Sequence, residues 1–328
     1  MKHLSVRRSA AGLFVASTAL AGLAAVPSPA HAAPNLTGGT GIDLSFTYEG
    51  GGGCTTPTAA DSPGLPITDD GRTVTQTWSD AKTSVASGNP ADITDLRASG
   101  TTTISATPIG PSGATIKGTA RVTASVLPRL ATTVCKGRAE ARFQAGGGFT
   151  VGQPMWVTVT AQGSGRGMMQ VVGVVEGEPA VTVLANSGNG STTALLPAGE
   201  ANFQIETLTA AQTTGVRSTA YSGSFSIRLA PLGQASPVSG KGRSHVSLGA
   251  RSCASNTIAG ALTKKAKTAK KVVVKVNGAK AASFQGKKLK KRAFSVRAAS
   301  SAKAQVTATI TLRNGKTVSV SRSYLPCS

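Results

Sequence analysis

Acidic residues are scarce in this sequence: 13 Asp and Glu stand against 35 Lys and Arg in 328 residues, a formal charge of +22. Histidine is scarcer still. Of three, His3 and His31 fall at the very start, which leaves His245 alone in the body of the chain and excludes His-rich metal sites of the H-E-x-x-H kind. Aromatics amount to 2 Trp, 3 Tyr and 8 Phe. In the basic C-terminal part only Phe284, Phe294 and Tyr324 remain, too few and too strand-like for a base-stacking platform. No Cys-x-x-Cys occurs among the four cysteines, so a redox dithiol and a zinc ribbon both lack their motif. No G-x-S-x-G is present to raise a nucleophile beside Ser244-His245, so that pair reads as a solvated linker histidine. After residue 26 there is no long apolar run, and no collagen or coiled-coil period anywhere. Yet 40% of the chain is hydrophobic, which excludes wholesale disorder and leaves enough for one large or two medium cores.

What is present begins with a leader. Lys2, Arg7 and Arg8 precede an apolar stretch from Ala10 to Val26, followed by Pro27, Pro29 and the small-residue site Ala30-His31-Ala32. This pattern is a secretory signal peptide over residues 1–32, with Ala33 as the expected first residue after cleavage. The stretch is too short and too proline-bounded for a membrane span, so no transmembrane segment is expected after cleavage. Arg7-Arg8 hints at twin-arginine export, but Ser9-Ala10-Ala11 lacks the apolar residues that normally follow, so general secretion is favoured. Export meets an oxidising compartment, where Cys54, Cys135, Cys253 and Cys327 read as two disulfides. Three pairings are open. Cys54–Cys135 with Cys253–Cys327 is favoured because the charge divides between those pairs.

From Ala33 to Ser252 there are 15 Lys and Arg and all 13 acids, a net of +2. From Cys253 to Ser328 there are 17 Lys and Arg and no acid. Between them, Gly233-Gln-Ala-Ser-Pro-Val-Ser-Gly-Lys-Gly-Arg-Ser244 has linker composition. The expected organisation is a domain over 33–232, a linker over 233–252 and a basic module over 253–328.

Both parts read as all-β. Val157–Thr160, Met169–Val175, Ala180–Leu184 and Ser224–Leu229 are short and β-branched, separated by Gly-rich turns such as Gly163-Ser-Gly-Arg-Gly167 and Asn186-Ser-Gly-Asn-Gly190. Such a pattern points to an antiparallel sandwich or jelly roll. In the module, Asn277-Gly278 marks a type I′ hairpin that pairs Val276 with Ala279 and Val274 with Ala281. At the next hairpin parity decides the loop. Ile310 and Val318 share a face only if Arg313-Asn314-Gly315 forms a three-residue loop with Gly315 left-handed, which also pairs Ala308 with Val320.

The order of strands and turns over Arg138–Leu232, with the turn Leu196-Pro-Ala-Gly-Glu200 before a returning strand, resembles jelly-roll domains of secreted bacterial surface proteins. The module, with Val274-Lys-Val-Asn-Gly278, Gly286-Lys-Lys-Leu-Lys290, Asn314-Gly-Lys-Thr317 and Tyr324-Leu-Pro-Cys327, resembles a small Ig-like module at the C-termini of such proteins. The module's resemblance implies a non-catalytic, structural or adhesive accessory domain, while the jelly-roll resemblance adds little to function.

Candidate chemistry is thin. Asp69-Asp70-Gly71 reads as a turn before a calcium site, Asp92 and Asp95 as a loop or short turn cap after Pro90, and Glu176 and Glu178 as a turn before a glycosidase pair. No metal or cofactor is expected. The glycine clusters Gly163–Gly167 and Gly50–Gly53 open no helix, so they read as loops and not phosphate cradles. Trp78, Trp156, Tyr48 and Tyr221 read as core residues before sugar-stacking ones. Asn35-Leu-Thr37 and Asn189-Gly-Ser191 match glycosylation acceptors.

The strongest pattern is the lysine set Lys264, Lys265, Lys267, Lys270, Lys271, Lys287, Lys288, Lys290, Lys291 and Arg292. Lysines on a solvated surface blunt strand edges and aid solubility. Seventeen positive charges without one acid repel one another, however, and an anionic polymer relieves that repulsion by releasing counterions. The expected function is an exported, non-enzymatic surface or extracellular protein whose basic module associates with an anionic cell-wall polymer or acidic polysaccharide. Nucleic acid ranks below these partners for an exported chain. The alternatives are a carbohydrate-binding module protein and, behind it, a carbohydrate-active hydrolase.

Overall fold

The structure is a computed structural model that describes residues 35–48, 53–55, 60–175, 178–290 and 292–328. The expected leader over 1–32, Gly50 to Gly52, Glu176 and Lys291 lie outside the described residues. Among the described residues no helix is long and apolar enough to cross a membrane.

The fold is all-β. The first sandwich is built from β1 (Thr37–Tyr48), β2 (Ala60–Asp61), β3 (Leu65–Ile67), β4 (Thr73–Ala86), β5 (Asn89–Ala106), β6 (Ala114–Pro128) and β7 (Gly137–Val151). It continues with β8 (Met155–Gly165), β9 (Met168–Val175), β10 (Glu178–Ala185), β11 (Gly188–Leu196), β12 (Gly199–Gln212) and β13 (Ser218–Pro231). One antiparallel sheet runs β10-β9-β12-β7-β1-β2, with β3 also on β1; the other runs β11-β8-β13-β6-β5-β4. Period-two alternation makes these layers. In β6, Ile116, Ala120, Val122, Ala124 and Val126 are buried while Lys117, Thr119 and Arg121 between them stay out. Ile42, Leu44, Phe143 and Ile205 from one sheet meet Leu96, Ile104, Ile116 and Ile227 from the other in a single core.

With so few aromatics, small residues set the packing. The Gly163–Gly167 cluster, read as a loop from its composition, instead lies largely in β8. Tyr221, fully buried, donates its hydroxyl to the Ala185 carbonyl across Gly163, where any side chain would overlap the phenol. Glycine is there for close approach, not for a turn.

The second sandwich comprises β14 (Val246–Ser252), β15 (Thr257–Leu262), β16 (Ala269–Val276), β17 (Ala279–Gln285), β18 (Arg292–Arg297), β19 (Ala304–Leu312) and β20 (Thr317–Tyr324). Its sheets are β14-β15-β18 and β17-β16-β19-β20. Val246, Ile258, Val272, Val274, Val306, Ile310 and Val320 are fully buried between them, in a core distinct from the first. Cys54 bonds to Cys135 within the first sandwich, and Cys253 to Cys327 across the second.

Both hairpins carry the expected turns. Asn277 and Gly278 are left-handed at φ 49° and 83°, as a type I′ turn requires. Gly315 is left-handed at φ 81°, Ile310 faces Val318, and Ala308 faces Val320. The pairing of Val274 with Ala281 is corrected. Val276 faces Ala279 and Lys275 faces Lys280, but Val274 faces Ala282, with Ala281 as the extra residue of a bulge. The reason is Phe284. An unbroken ladder would set it opposite Lys271 on the outer face, whereas the bulge places it opposite Val272 and buries it.

The linker reading over 233–252 is also corrected. Val246 and Leu248 are core residues of β14. Before them, Gln234 to Ser239 lies along the free edge of β20. Leu325 donates to the Gln234 carbonyl at 2.9 Å, Ser236 to Ser323 at 2.8 Å, and Ser239 and Ser321 exchange two bonds of 2.9 Å. Pro, Gly and Ser composition predicts coil, but an open strand edge supplies the hydrogen bonds that fix it. Beside it the guanidinium of Arg251 donates to the carbonyls of Ala302 at 3.1 Å and Leu325 at 2.7 Å, tying β14 to the C-terminal segment.

Candidate cationic site

Each lysine-rich segment folds into a 3-10 turn anchored by one apolar residue. In Lys264–Thr268, Thr263 caps the turn by accepting from the Lys265 amide at 3.1 Å, and Thr268 donates back to the Lys265 carbonyl at 2.8 Å. Only Ala266 is buried, so Lys264, Lys265 and Lys267 point to solvent. In Gly286–Leu289, Gly286 is left-handed, Leu289 plugs the core, and Lys287 and Lys288 are exposed.

Strand register then brings the two turns together. Lys271 faces Gln285, so the turn that precedes β16 and the turn that follows β17 occupy one end of that hairpin, opposite Asn277-Gly278. Ala269 faces Leu312, which brings the Arg313–Lys316 turn to the same end; Arg313 donates to the Lys267 carbonyl at 3.4 Å. Leu262 faces Arg292, so β18 also starts there. The 3-10 turn Lys241–Ser244 adjoins it, with the Thr263 hydroxyl donating to the Ser244 carbonyl at 2.6 Å.

Lys264, Lys265, Lys267, Lys270, Lys287, Lys288, Lys290 and Arg292 are exposed, and Lys271 is half-buried; Lys291 lies outside the described residues. Arg292 also sits 6.0 Å above the Phe284 ring, at the outer limit of a cation–π contact. Sequence reading missed Lys241, Arg243, Arg313 and Lys316, which join the cluster only through folding. The Asn314-Gly315 turn was the available pointer to the last two. Among the described residues every ion pair lies between Asp70 and Glu206, in the first sandwich. The cationic end therefore has no internal neutralisation.

His245 lies beneath this surface and is buried, not solvated as its linker assignment implies. Its Nδ1 is 3.0 Å from the Ser244 hydroxyl and its Nε2 3.4 Å from that of Thr268. Burial, and then the charge of Lys265, push its pKa below the ordinary 6.5. The ring braces the lysine turn from inside. Its two ring nitrogens thus face hydroxyls of its own neighbouring turns.

The remaining candidates are dispersed. Both carboxylate oxygens of buried Asp69 accept backbone N–H groups, from Leu36 at 3.1 Å and Ile109 at 2.7 Å, which leaves a cation little to bind. Asp70 pairs with Arg72 at 3.5 Å. Asp92 accepts from Thr133 at 2.5 Å and from the Val134 amide at 2.9 Å. Asp95 takes a two-pronged contact from Arg129, at 3.0 and 3.1 Å, and that hydrogen bonding holds its carboxyl below the usual range. Among the described residues no three His, Cys, Asp or Glu converge on a metal-sized site. Trp78 packs against the first core, and Trp156 donates Nε1–H to the Pro326 carbonyl at 3.0 Å. Tyr48 donates to the Val134 carbonyl at 3.3 Å, so these aromatics form no common platform with buried Tyr221. Asn35 spends its amide on Thr150 at 2.6 Å, while Asn189 is exposed at the start of β11.

No protein-family model and no curated protein matches the chain. Among solved structures, the adhesin domain of Epf from Streptococcus pyogenes aligns with 85% of this chain and 88% of its own, at 8% identity and a TM-score of 0.19. A likeness of that size carries no argument about this protein.

Proposed function

We propose that this is an exported, non-enzymatic surface or extracellular protein that associates with anionic cell-envelope polymers through the lysine-rich end of its second sandwich. The observation that carries the reading is the convergence of Lys264–Lys271, Lys287–Lys290, Arg292 and Arg313 on one end of an acid-free segment. Concentrating like charge costs stability, and a polyanion offsets that cost by releasing its counterions. Lysine in place of arginine suits diffuse attraction to a charged polymer better than bidentate reading of one group. Two disulfides fit an oxidising compartment and the leader at residues 1–32. The strand order β14-β15-β18 over β17-β16-β19-β20 supports an Ig-like module as the carrier of this end. The carbohydrate-binding alternative needs a shared aromatic platform, and Trp78 and Trp156 offer none.

The test uses residues 35–328 on immobilised anionic cell-wall polymer across a salt series. Retention should be strong at low salt, with log affinity falling linearly against log salt. Lys287→Ala/Lys288→Ala/Lys290→Ala, all on exposed positions, should weaken it. No retention at low salt, or retention indifferent to salt, overturns the proposal.

A further inference from the structure

The outer face of the six-stranded sheet in the first sandwich carries a second cationic feature, unrelated in sequence to the lysine turns. Its outward positions are almost all hydroxyl or amide residues in cross-strand register. One row spans all six strands: Thr75, Thr103, Thr119, Ser224, Gln162 and Asn189. Along the middle of this face runs a line of cations. Lys117 and Arg121 project from β6, Arg228 on β13 lies opposite Thr115, and Arg97 on β5 lies opposite Ser125. All four are exposed. From the level of Thr115 to that of Ser125 the line extends about 33 Å at the rise of an extended strand.

The charge on this face is unbalanced. None of the four cations forms an ion pair among the described residues. Asp80 on β4 is paired with Lys82 and Asp95 with Arg129, with Arg97 adding to the field on Asp95, and Arg228 donates only to the neutral Gln234 at 3.2 Å. The opposite sheet behaves differently. There Arg138 and Arg142 are neutralised by Glu140, and Arg142 also by Glu206. Solubility alone does not call for a file of unpaired cations on one face while those on the other are matched.

We propose that this face docks a linear acidic polysaccharide along the line Arg228, Lys117, Arg121 and Arg97. Spaced anionic groups on a chain match spaced cations on a flat sheet. Ser, Thr and Gln162 on either side supply donors and acceptors for sugar hydroxyls. They line the surface depression at Arg121, and Ser79, Ser99, Thr123 and Ser125 line the one at Arg97 together with Asp80, whose carboxylate is taken by Lys82. The rows of Lys117 and Arg121 hold no aromatic side chain for stacking a nucleobase or a neutral sugar ring; the aromatic of this face, Trp156, lies beyond Arg228 and is tied to the Pro326 carbonyl. The inference stands independently of the reading of the lysine-rich end.

The test is an acetylation footprint of Lys117 in residues 35–328, with oligogalacturonate as the acidic probe, and maltodextrin and single-stranded DNA as comparators. Oligogalacturonate should protect Lys117, and both comparators should protect it less. Lys117→Ser/Arg121→Ser should weaken oligogalacturonate binding about fivefold, the scale of two lost surface charge contacts. Lys287→Ala/Lys288→Ala/Lys290→Ala should leave the protection intact, which separates this face from the lysine-rich end. Unprotected Lys117, or unchanged binding by the double variant, overturns the site. Equal protection by maltodextrin or by DNA overturns the acidic polysaccharide as its occupant.

Discussion

The indole Nε1 of Trp156 donates to the carbonyl of Pro326 at 3.0 Å, joining β8 of the first sandwich to the residue before Cys327. The Gly233 amide donates to the same carbonyl at 2.9 Å, so one oxygen anchors both the side chain and the start of the connecting segment. Trp156→Phe keeps the ring and removes one of these bonds. Its expected cost is about 1 kcal/mol, read from the urea midpoint. A midpoint equal to the parent's would show that this contact contributes nothing to stability.

Asp69 holds the segment before β1 and the segment before β6 with two backbone bonds inside the protein. Asp69→Asn retains one acceptor oxygen and turns an amide N–H toward a backbone donor. One buried N–H then loses its partner, at a cost of about 1–3 kcal/mol. Thermal unfolding should show a lower midpoint, and a variant as stable as the parent would mean that water replaces the missing acceptor.

His245 makes stability depend on pH in a defined direction. Its pKa in the folded protein lies below the ordinary 6.5, so the unfolded chain binds the proton first as pH falls. The stabilisation is present above the unfolded value and is lost as pH drops toward the folded one. Urea midpoints should therefore decline from about pH 7.5 to about pH 5, and His245→Gln should flatten part of that decline. Parallel profiles for parent and variant would contradict the assignment.

Gly163 faces the phenol of Tyr221 with no room for a methyl group. Gly163→Ala is expected to destabilise by about 1–3 kcal/mol through overpacking, with the Tyr221–Ala185 bond disturbed. Exchange of the Ala185 strand amides, followed by mass spectrometry, should quicken locally. Unaltered exchange and midpoint would show that the strands separate without cost.

Much of this architecture was legible in residue pattern, though unevenly. Ile310 and Val318 fixed their own register because both needed the same face, and the turn followed from that parity. Phe284 carried equivalent information, but the run Ala279-Lys-Ala-Ala-Ser283 before it has too little apolar contrast to reveal a one-residue slip. The lysines were evident as letters, whereas their convergence depends on the pairing of Lys271 with Gln285 and of Ala269 with Leu312. Composition misread residues 234–248 because it records what a segment is made of, not which unpaired edge lies beside it. The cation line on the first sandwich escaped notice because Lys117, Arg121, Arg97 and Arg228 are isolated in sequence and adjacent only across strands.

The segment from Gln234 to Ser239 has a practical bearing on how the protein divides. A fragment that begins at Cys253 lacks β14 and exposes the edge of β20. Such a piece offers bare N–H and C=O groups to any strand it meets, and self-association through them would mimic polymer binding in a pull-down. The smallest fragment that keeps its own edge closed starts at about Gly233. It carries the Lys241 and Arg243 charges with it.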